Sequence, residues 1–282
     1  MSLENHLFTL KSLDEKINHI NTLFLDTDFE IAKFNHNEKE INIFHVKNDY
    51  IPSRIIYEKN FYESAFLQFF SFFNYNNGCV LDIGGNIGNH SIYFSAIKNW
   101  NVIAFEPVMQ NALCLAINAQ LNNSCDKIHL IDTALGKEEG HCFLSAAING
   151  NEGSFSRDAE INTKSVEVPI QILDNIPDVK NITDTIGLIK IDVEGMEYEV
   201  LQGAMHTLQT HKPALAFECT TQQHYIDIVN LISPLGYFPI EILNYTATFI
   251  FLNKNNHAHT EKLIEYLTMY VNQRKQTQYH IF

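Results

Sequence analysis

The stretch that most constrains this chain is Val80-Leu81-Asp82-Ile83-Gly84-Gly85-Asn86-Ile87-Gly88, followed closely by Ala104-Phe105-Glu106-Pro107. An apolar run, a carboxylate and a glycine-rich turn into helix-like sequence describe a buried strand whose carboxyl end wraps a ligand. Gly84, Gly85 and Gly88 can take positive φ and let backbone approach that ligand closely. Glu106 ends a second apolar run at residues 101–105, where a Rossmann-like unit sets an acid on ribose hydroxyls. These features together imply a nucleoside ligand.

Two nucleoside cofactors fit the outline. A dinucleotide fingerprint wants G-x-G-x-x-G, with pyrophosphate on a helix N-terminus, whereas this loop reads Asp-x-Gly-Gly-Asn-x-Gly. Asp82 would repel a pyrophosphate and suits the ammonium and sulfonium charges of S-adenosylmethionine. The methyl donor is the expected cofactor; a tight strand-to-helix turn without a ligand is the plain alternative.

A formal net charge of −14 argues against nucleic acid as a partner, because phosphate binding needs clustered Lys and Arg. The opening residues are broken by charges and lack a basic-then-apolar signal, and no run has the length of a membrane span. A cytoplasmic protein with a small or uncharged substrate is expected. Cys79, Cys114, Cys125, Cys142 and Cys219 form no CxxC pair, so reduced, mostly buried thiols are expected.

Hydrophobic periodicity divides the chain into residues 1–75 and 76–282. The first part reads as an amphipathic helix over 10–25, a hairpin of strands 29–34 and 41–46, and a phenylalanine-rich helix over 61–73. This extension would cap the cofactor site or build a homodimer interface. From residue 78 strands and helices alternate as in a doubly wound parallel sheet. Strands are expected over 79–83, 101–105, 128–132, 186–192 and 214–219. Helices are expected over 89–97, 107–121 with Pro107 in its first turn, 196–209 and 225–232. Residues 140–164 read as a polar loop or substrate lid, 166–170 as a short strand, 238–242 and 247–252 as a terminal hairpin, and 260–271 as an amphipathic tail.

A second constellation is Lys190-Ile191-Asp192-Val193-Glu194-Gly195-Met196-Glu197, just past a buried strand. Asp192 and Glu194 would lie at the carboxyl edge of the sheet, with Glu218 ending the neighbouring strand. Asp192 is the expected base or metal ligand, with Glu194 and Glu218 assisting; Asp192 and Glu218 could hold Mg²⁺ or equally form a plain hydrogen-bonded pair, and Glu197, more than Glu194, could instead favour the following helix N-terminus. His90 is the competing base, and Tyr62 and Glu63 would cover the cofactor.

The runs VLDIGGNIGNHSIYFS, AFEPV, IDTALGKEEG, IKIDVEGMEYEVLQGA and LAFEC, in this order, resemble the FkbM family of S-adenosylmethionine-dependent methyltransferases. The resemblance implies a class I methyltransferase fold, a seven-stranded, mostly parallel sheet with its last strand antiparallel. It also implies O-methylation of a hydroxyl on a sugar, glycan or natural-product acceptor. Carried over by position, Asp82, Gly84, Gly85, Asn86 and Gly88 would form the methionine-side loop. Glu106 with Pro107 would meet the ribose, Asp132 or Thr133 the adenine edge, and Asp192 and Glu194 would form the family's acidic motif. A nicotinamide-dependent oxidoreductase and a non-catalytic scaffold on the same fold are the other classes, opposed by Asp82 and by the retained acids respectively.

Overall fold

A computed structural model of the chain describes residues 12–72, 78–146, 155–156 and 165–278. The extension opens with α1 (Leu13–Leu23), started by a capping box in which Ser12 and Glu15 exchange side-chain and backbone bonds. A hairpin follows, β1 (Phe29–His36) and β2 (Lys39–Val46), then α2 (Tyr50–Glu58) and α3 (Ser64–Ser71). The body begins with β3 (Gly78–Ile83), α4 (Asn89–Ile92) continuing through a π turn to Ile97, β4 (Asn101–Phe105), α5 (Met109–Leu121) and β5 (Ile128–Ile131). Four short strands come next: β6 (Ala134–Leu135), β7 (Gly140–Ala146), β8 (Phe155–Ser156) and β9 (Val166–Gln171). The chain continues as α6 (Pro177–Lys180), β10 (Thr185–Ile191), α7 (Glu197–Gln202), α8 (Met205–His211), β11 (Ala214–Glu218) and α9 (Gln222–Ile232). It closes with β12 (Tyr237–Leu243), β13 (Thr248–Asn253) and α10 (His257–Gln278).

The main sheet has seven strands in the order β12-β13-β11-β10-β3-β4-β5. Strands β11, β10, β3, β4 and β5 are mutually parallel, and β13 pairs antiparallel with both β11 and β12. The expected sheet, parallel but for its last strand, is therefore present. Chain order reverses direction across the sheet between β3 and β10, and the crevice at that switch point is where open α/β sheets bind ligands.

Both faces of the sheet are buried, which is why its central strands are continuous apolar runs. Val80, Val102, Leu188 and Ala216 face one core with α5 and the extension, and their neighbours Leu81, Ile103, Ile189 and Phe217 face another with Val200, Leu201 and Ile228. Ile20, Phe34, Ile41, Ile43 and Phe61 of the extension belong to the first core without a break. Phe66, Phe69 and Phe70 of α3 are buried there too, so these side chains of the phenylalanine-rich helix build core.

The extension is also fastened by polar bonds. On α5, Asn118 and Asn122 stand one turn apart and pair with the backbone of β2 as a strand would. Asn118 accepts from Phe44 N and donates to Phe44 O, and Asn122 does the same with Asn42. Asn118 Nδ2 donates further to Ile87 O at 2.8 Å, tying hairpin, helix and glycine loop together. Asn118→Ala leaves Phe44 N–H and two carbonyls without partners in a buried place. It should lower stability by about 2–3 kcal/mol, read as an earlier urea midpoint with unchanged slope.

Several sequence expectations are corrected. Helix α2 was not foreseen, and β7 lies where a polar loop was expected. Its alternation is short, with Cys142 and Leu144 buried and His141 and Phe143 exposed, and it pairs antiparallel with β9. The glycine-rich residues 149–154 lie outside the described residues, as does the 75/76 boundary. The helix expected over 196–209 is two helices, divided at Gly203 and Ala204, where a Cβ on Gly203 would be 2.2 Å from the Gly136 carbonyl oxygen. Pro107 precedes the helix, which starts at Met109 after extended Val108. Cys79, Cys114, Cys142 and Cys219 are buried free thiols and Cys125 is exposed. No described helix is long and apolar enough to cross a membrane.

Candidate active site

A cleft of about 320 Å³ opens over the carboxyl ends of the strands at the switch point, within the range of small-molecule sites. Its wall includes Gly84, Gly85 and Asn86 after β3, Glu106 and Pro107 after β4, Asp192 and Glu194 after β10, and Glu218 at the end of β11. His90 from α4, Tyr50 from α2, Tyr62 and Glu63 before α3, and Tyr245 and Thr246 between β12 and β13 complete it. The span from β4 to β11 is three strand spacings, about 14 Å, so the cleft is elongated across the sheet. At its β4 end a narrow apolar slot is walled by Phe105, Pro107, Thr133, Leu135, Leu144, Val193 and Met196.

Glu106 is the fixed point of the β4 end. It is buried, and its two carboxylate oxygens accept from Asn86 N at 2.7 Å and Val108 N at 2.9 Å. Gly84 N and Gly85 N both donate to Phe105 O at 2.9 Å, folding the loop onto the end of β4. Burial pushes the Glu106 carboxyl up to about 7 against those two N–H bonds, so it ionises near neutrality.

The loop glycines are required for a reason the sequence did not give. A Cβ on Gly84, at φ +77°, would lie 1.8 Å from Asp192 O; on Gly85 and Gly88 it would press on Leu115 of α5 at 3.0 and 2.9 Å. Their bareness lets the backbone pack against the protein itself, and Gly88 is not on the cleft wall.

Asp82 likewise stands behind the wall. It is fully buried, accepts from Ser91 Oγ at 2.6 Å, and its other oxygen lies 3.2 Å from Lys190 Nζ, an ion pair off hydrogen-bond alignment. Lys190 is the hub that the sequence reading missed. Its ammonium donates to Gly84 O at 2.7 Å and lies 3.5 Å from Asp192. Burial alone would pull its pKa down, but Asp82 and Asp192 outweigh burial and hold it above the usual lysine range. The signal was available: a lysine inside an apolar strand, two residues before Asp192, shares that residue's side of the sheet.

Asp192 and Glu218 meet across adjacent strand ends and share a hydrogen bond. Burial opposes ionisation of Asp192, but Lys190 and that bond outweigh it and lower its pKa. Glu218 goes the other way: burial, then the Asp192 charge and the shared bond, push it up to about 10, so it holds the proton of the pair. An Mg²⁺ site on Asp192 and Glu218 is not supported by this arrangement. Asp192 lies 3.5 Å from the Lys190 ammonium, and among the described residues no three His, Cys, Asp or Glu are grouped to hold a metal.

Glu197 is buried and accepts from Val193 N and Gly195 N at 3.2 Å, so it secures the turn after β10. Glu194 is exposed on the cleft wall at φ +55°. Thr133 is in the slot wall with its hydroxyl donating to Ala134 O and Pro169 O, whereas Asp132 is half-buried and outside both lining sets. His90 is buried beside Glu63, with Nε2 3.2 Å from Glu63 Oε2.

The raised acids set a pH dependence. Glu218 stays protonated in the fold up to about 10, while the unfolded chain ionises it near 4.5. The folded state then binds more protons, so stability falls as pH rises through this window. Glu106 and Glu197, at about 7, contribute the same sign but are spent by pH 8. Melting temperature should fall by roughly 5 °C between pH 7 and 9, and Glu218→Gln should flatten most of that slope.

A seven-stranded sheet reversed only in its last strand, with a glycine turn after its first strand and a buried acid after its second, is the class I methyltransferase architecture. A family model described as the methyltransferase FkbM domain matches residues 82–245, more than half of the chain, and the chain belongs to that family. Methyltransferase 1 of Beauveria bassiana (strain ARSEF 2860) is 29% identical over 143 residues, covering 44% of this chain and 57% of that protein. The chain thus spans a little over half of that relative's length. Methyltransferase FkbM from Methylobacillus flagellatus KT superposes with a TM-score of 0.47 at 18% identity, over 63% of this chain and 44% of that one. The SMU.1697c protein of Streptococcus mutans, solved in complex with SAH, superposes with a TM-score of 0.41 at 12% identity, over 67% of this chain and 94% of that one.

Proposed function

We propose that this chain transfers the methyl group of S-adenosylmethionine to a hydroxyl oxygen of an uncharged, polyhydroxylated small molecule such as a sugar. The observation that carries this reading is the elongated acidic cleft, ribose-competent at one end and closed by aromatic and proton-accepting groups at the other. Glu106, already oriented by two backbone N–H groups, has lone pairs left for ribose hydroxyls. The slot beside Pro107 and Thr133 is lined mostly by apolar side chains, which suits the edge of an adenine ring. Asp192, kept ionised by Lys190, faces the middle of the cleft, where a sulfonium would lie. Bound there, the donor supplies an activated methyl.

The chain's own residues supply positioning and charge. Methyl transfer needs the acceptor oxygen in line with the S–CH₃ bond, so walls that fix both molecules account for much of the acceleration. An aliphatic hydroxyl also needs a group to receive its proton. His90 is buried against Glu63, whereas Asp192, although paired with Lys190 and bonded to Glu218, reaches the cleft, so Asp192 is assigned that role.

The same charges select the acceptor. Glu63, Asp192 and Glu194 line the cleft as acids, and the ammonium of Lys190 is committed to Gly84, Asp82 and Asp192. A carboxylate or phosphate on the acceptor would be repelled. A pyrophosphate would be repelled too, which disfavours a nicotinamide dinucleotide.

Incubation with methyl-labelled S-adenosylmethionine and methyl glycosides tests this reading. Label should enter neutral glucosides, mannosides or rhamnosides as an alkali-stable ether, and enter the corresponding glucuronoside at least tenfold more slowly. Label in an alkali-labile ester, or preference for the glucuronoside, would overturn the hydroxyl and charge assignments; label in no neutral glycoside would overturn the sugar assignment.

A further inference from the structure

We propose that Tyr50, Tyr62 and Tyr245 form the acceptor wall of the cleft and select a cyclic sugar by stacking on the C–H face of its ring. The inference rests on the methyl-transfer reading above and adds where the acceptor lies and what shape it must have.

Placement is the first observation. All three side chains line the cleft, and they arrive from separate places in the chain: Tyr50 opens α2, Tyr62 lies before α3, and Tyr245 sits in the turn between β12 and β13. They stand at the end away from Glu106. Tyr62 is close enough to Asp192 and Glu218 for both carboxyl groups to bear on its phenol, and the turn that carries Tyr245 leads into β13 where Thr248 pairs with Glu218. A donor held by Glu106 at the β4 end leaves this end to the acceptor.

The second observation is the rings themselves. Tyr245 is wholly exposed and Tyr50 about half exposed, at 103% and 47%. Tyr50 and Tyr62 meet edge to face, with centroids 6.2 Å apart and planes at 81°, so the two rings make a corner. Single exposed apolar groups need no explanation, but three aromatic rings gathered on one cleft describe a surface that a ligand covers.

The third is rigidity. Asp49 Oδ1 accepts from Tyr50 N at 2.8 Å and fixes the start of α2. Tyr62 N donates to Asn89 Oδ1 and Asn89 Nδ2 donates back to Tyr62 O, both at 3.0 Å, so Tyr62 is held in register with the helix that follows the glycine loop. Around Tyr245, Asn244 Nδ2 donates to Thr248 Oγ1 at 2.9 Å, and Cys219 N donates to Ala247 O at 3.1 Å, tying the turn to the end of β11. Tyrosines on a fixed backbone have only two side-chain torsions to lose, so they bind a ligand at low entropic cost.

The polar groups complete the match. Among the described residues, the hydrogen bonds of Tyr62 run through its backbone, which leaves the phenol hydroxyl for a ligand. Burial, and then the charges of Glu63 and its neighbours, hold that phenol above the usual tyrosine range, so it stays a donor. Glu63 and Glu194 on the same cleft are acceptors. Ring faces beside fixed donors and acceptors fit a pyranose, which carries C–H bonds on its faces and hydroxyls around its rim. An open-chain polyol offers the hydroxyls without a fixed face.

The test compares a neutral methyl glycoside with the open-chain hexitol glucitol as acceptors for the full chain and methyl-labelled S-adenosylmethionine. The unmodified chain should use the glycoside with a kcat/KM at least tenfold higher. Tyr245→Ala removes a ring that is wholly exposed, so the fold should be unaffected. It should raise the KM for the glycoside about tenfold and leave the KM for glucitol and the affinity for S-adenosylhomocysteine within twofold. Tyr62→Phe keeps the ring and removes the hydroxyl, and it should raise the KM for both acceptors about fivefold. An unchanged glycoside KM in Tyr245→Ala overturns the wall, and an equal rise for glycoside and glucitol in that variant overturns the stacking. Failure of the unmodified chain to bind S-adenosylhomocysteine, or to methylate any neutral glycoside, overturns the reading above instead, so the two failures are distinguishable.

Discussion

Glu106→Gln is expected to lower affinity for S-adenosylhomocysteine about 100-fold, or about 2.7 kcal/mol. The substitution preserves shape and removes one acceptor. Glu106 uses one oxygen for Asn86 N and the other for Val108 N, so a side-chain amide must aim an N–H at one of these donors. The glycine loop then loses its anchor on β4, and the ribose loses a charged acceptor, whose hydrogen bonds contribute about 1.5–3 kcal/mol each. A pH signature accompanies the effect. Because Glu106 ionises at about 7, affinity in the unmodified chain should rise between pH 6 and 8 as the carboxylate forms, and it should be flat in Glu106→Gln. Isothermal titration of both proteins across that range checks the claim; equal affinities would remove Glu106 from the ribose site.

Lys190→Met should have the largest effect on stability. The substitution fills similar space but leaves Asp82, fully buried, with Ser91 as its remaining partner, and it frees Gly84 O. Breaking one side of a buried ion pair costs about 3–5 kcal/mol, which for a chain of this size lowers the melting temperature by about 10 °C. Adding Asp82→Asn should recover part of the loss, since an amide needs no counter-charge, and the non-additivity of the double variant measures the coupling. If Lys190→Met melted like the unmodified chain, Lys190 would not be the hub that joins the glycine loop to β10.

Both residues show what could be read from sequence and what could not. Glu106 was legible because local spacing suffices: an acid ending the second apolar strand after a glycine turn has one place to go. The parallel sheet was legible in the same alternation of apolar runs and helical stripes, whereas its seven strands and antiparallel last strand came from the family resemblance. Lys190 was hidden in an apolar strand, where its side chain matters only once Asp82 from the neighbouring strand is beside it in register. Asp82 itself was placed at the right strand end, but sequence could not show that it would turn inward to a lysine and stand behind the wall. The extension was legible as helix and hairpin. Tyr62 and Glu63 were expected near the cofactor, whereas Tyr50 joins them on the cleft wall through a helix that no local pattern announced. Leu144 was missed for a simpler reason, since its strand is short and lies in a stretch rich in polar residues.

The charge arrangement also explains why the acidic motif is tolerable. Asp82, Asp192 and Glu218 converge on adjacent strand ends, which would be strongly unfavourable if all were ionised. One ammonium and one retained proton reduce the cluster to a single net negative charge at the centre of the cleft. That residual charge suits a sulfonium, and the account depends on it.

The most direct measurement is parallel calorimetric titration of the purified, dialysed chain with S-adenosylmethionine, S-adenosylhomocysteine and NADH. The account predicts one site for each of the first two and none for NADH, with binding weakened in Glu106→Gln. Binding of NADH, or of none of the three, would contradict it.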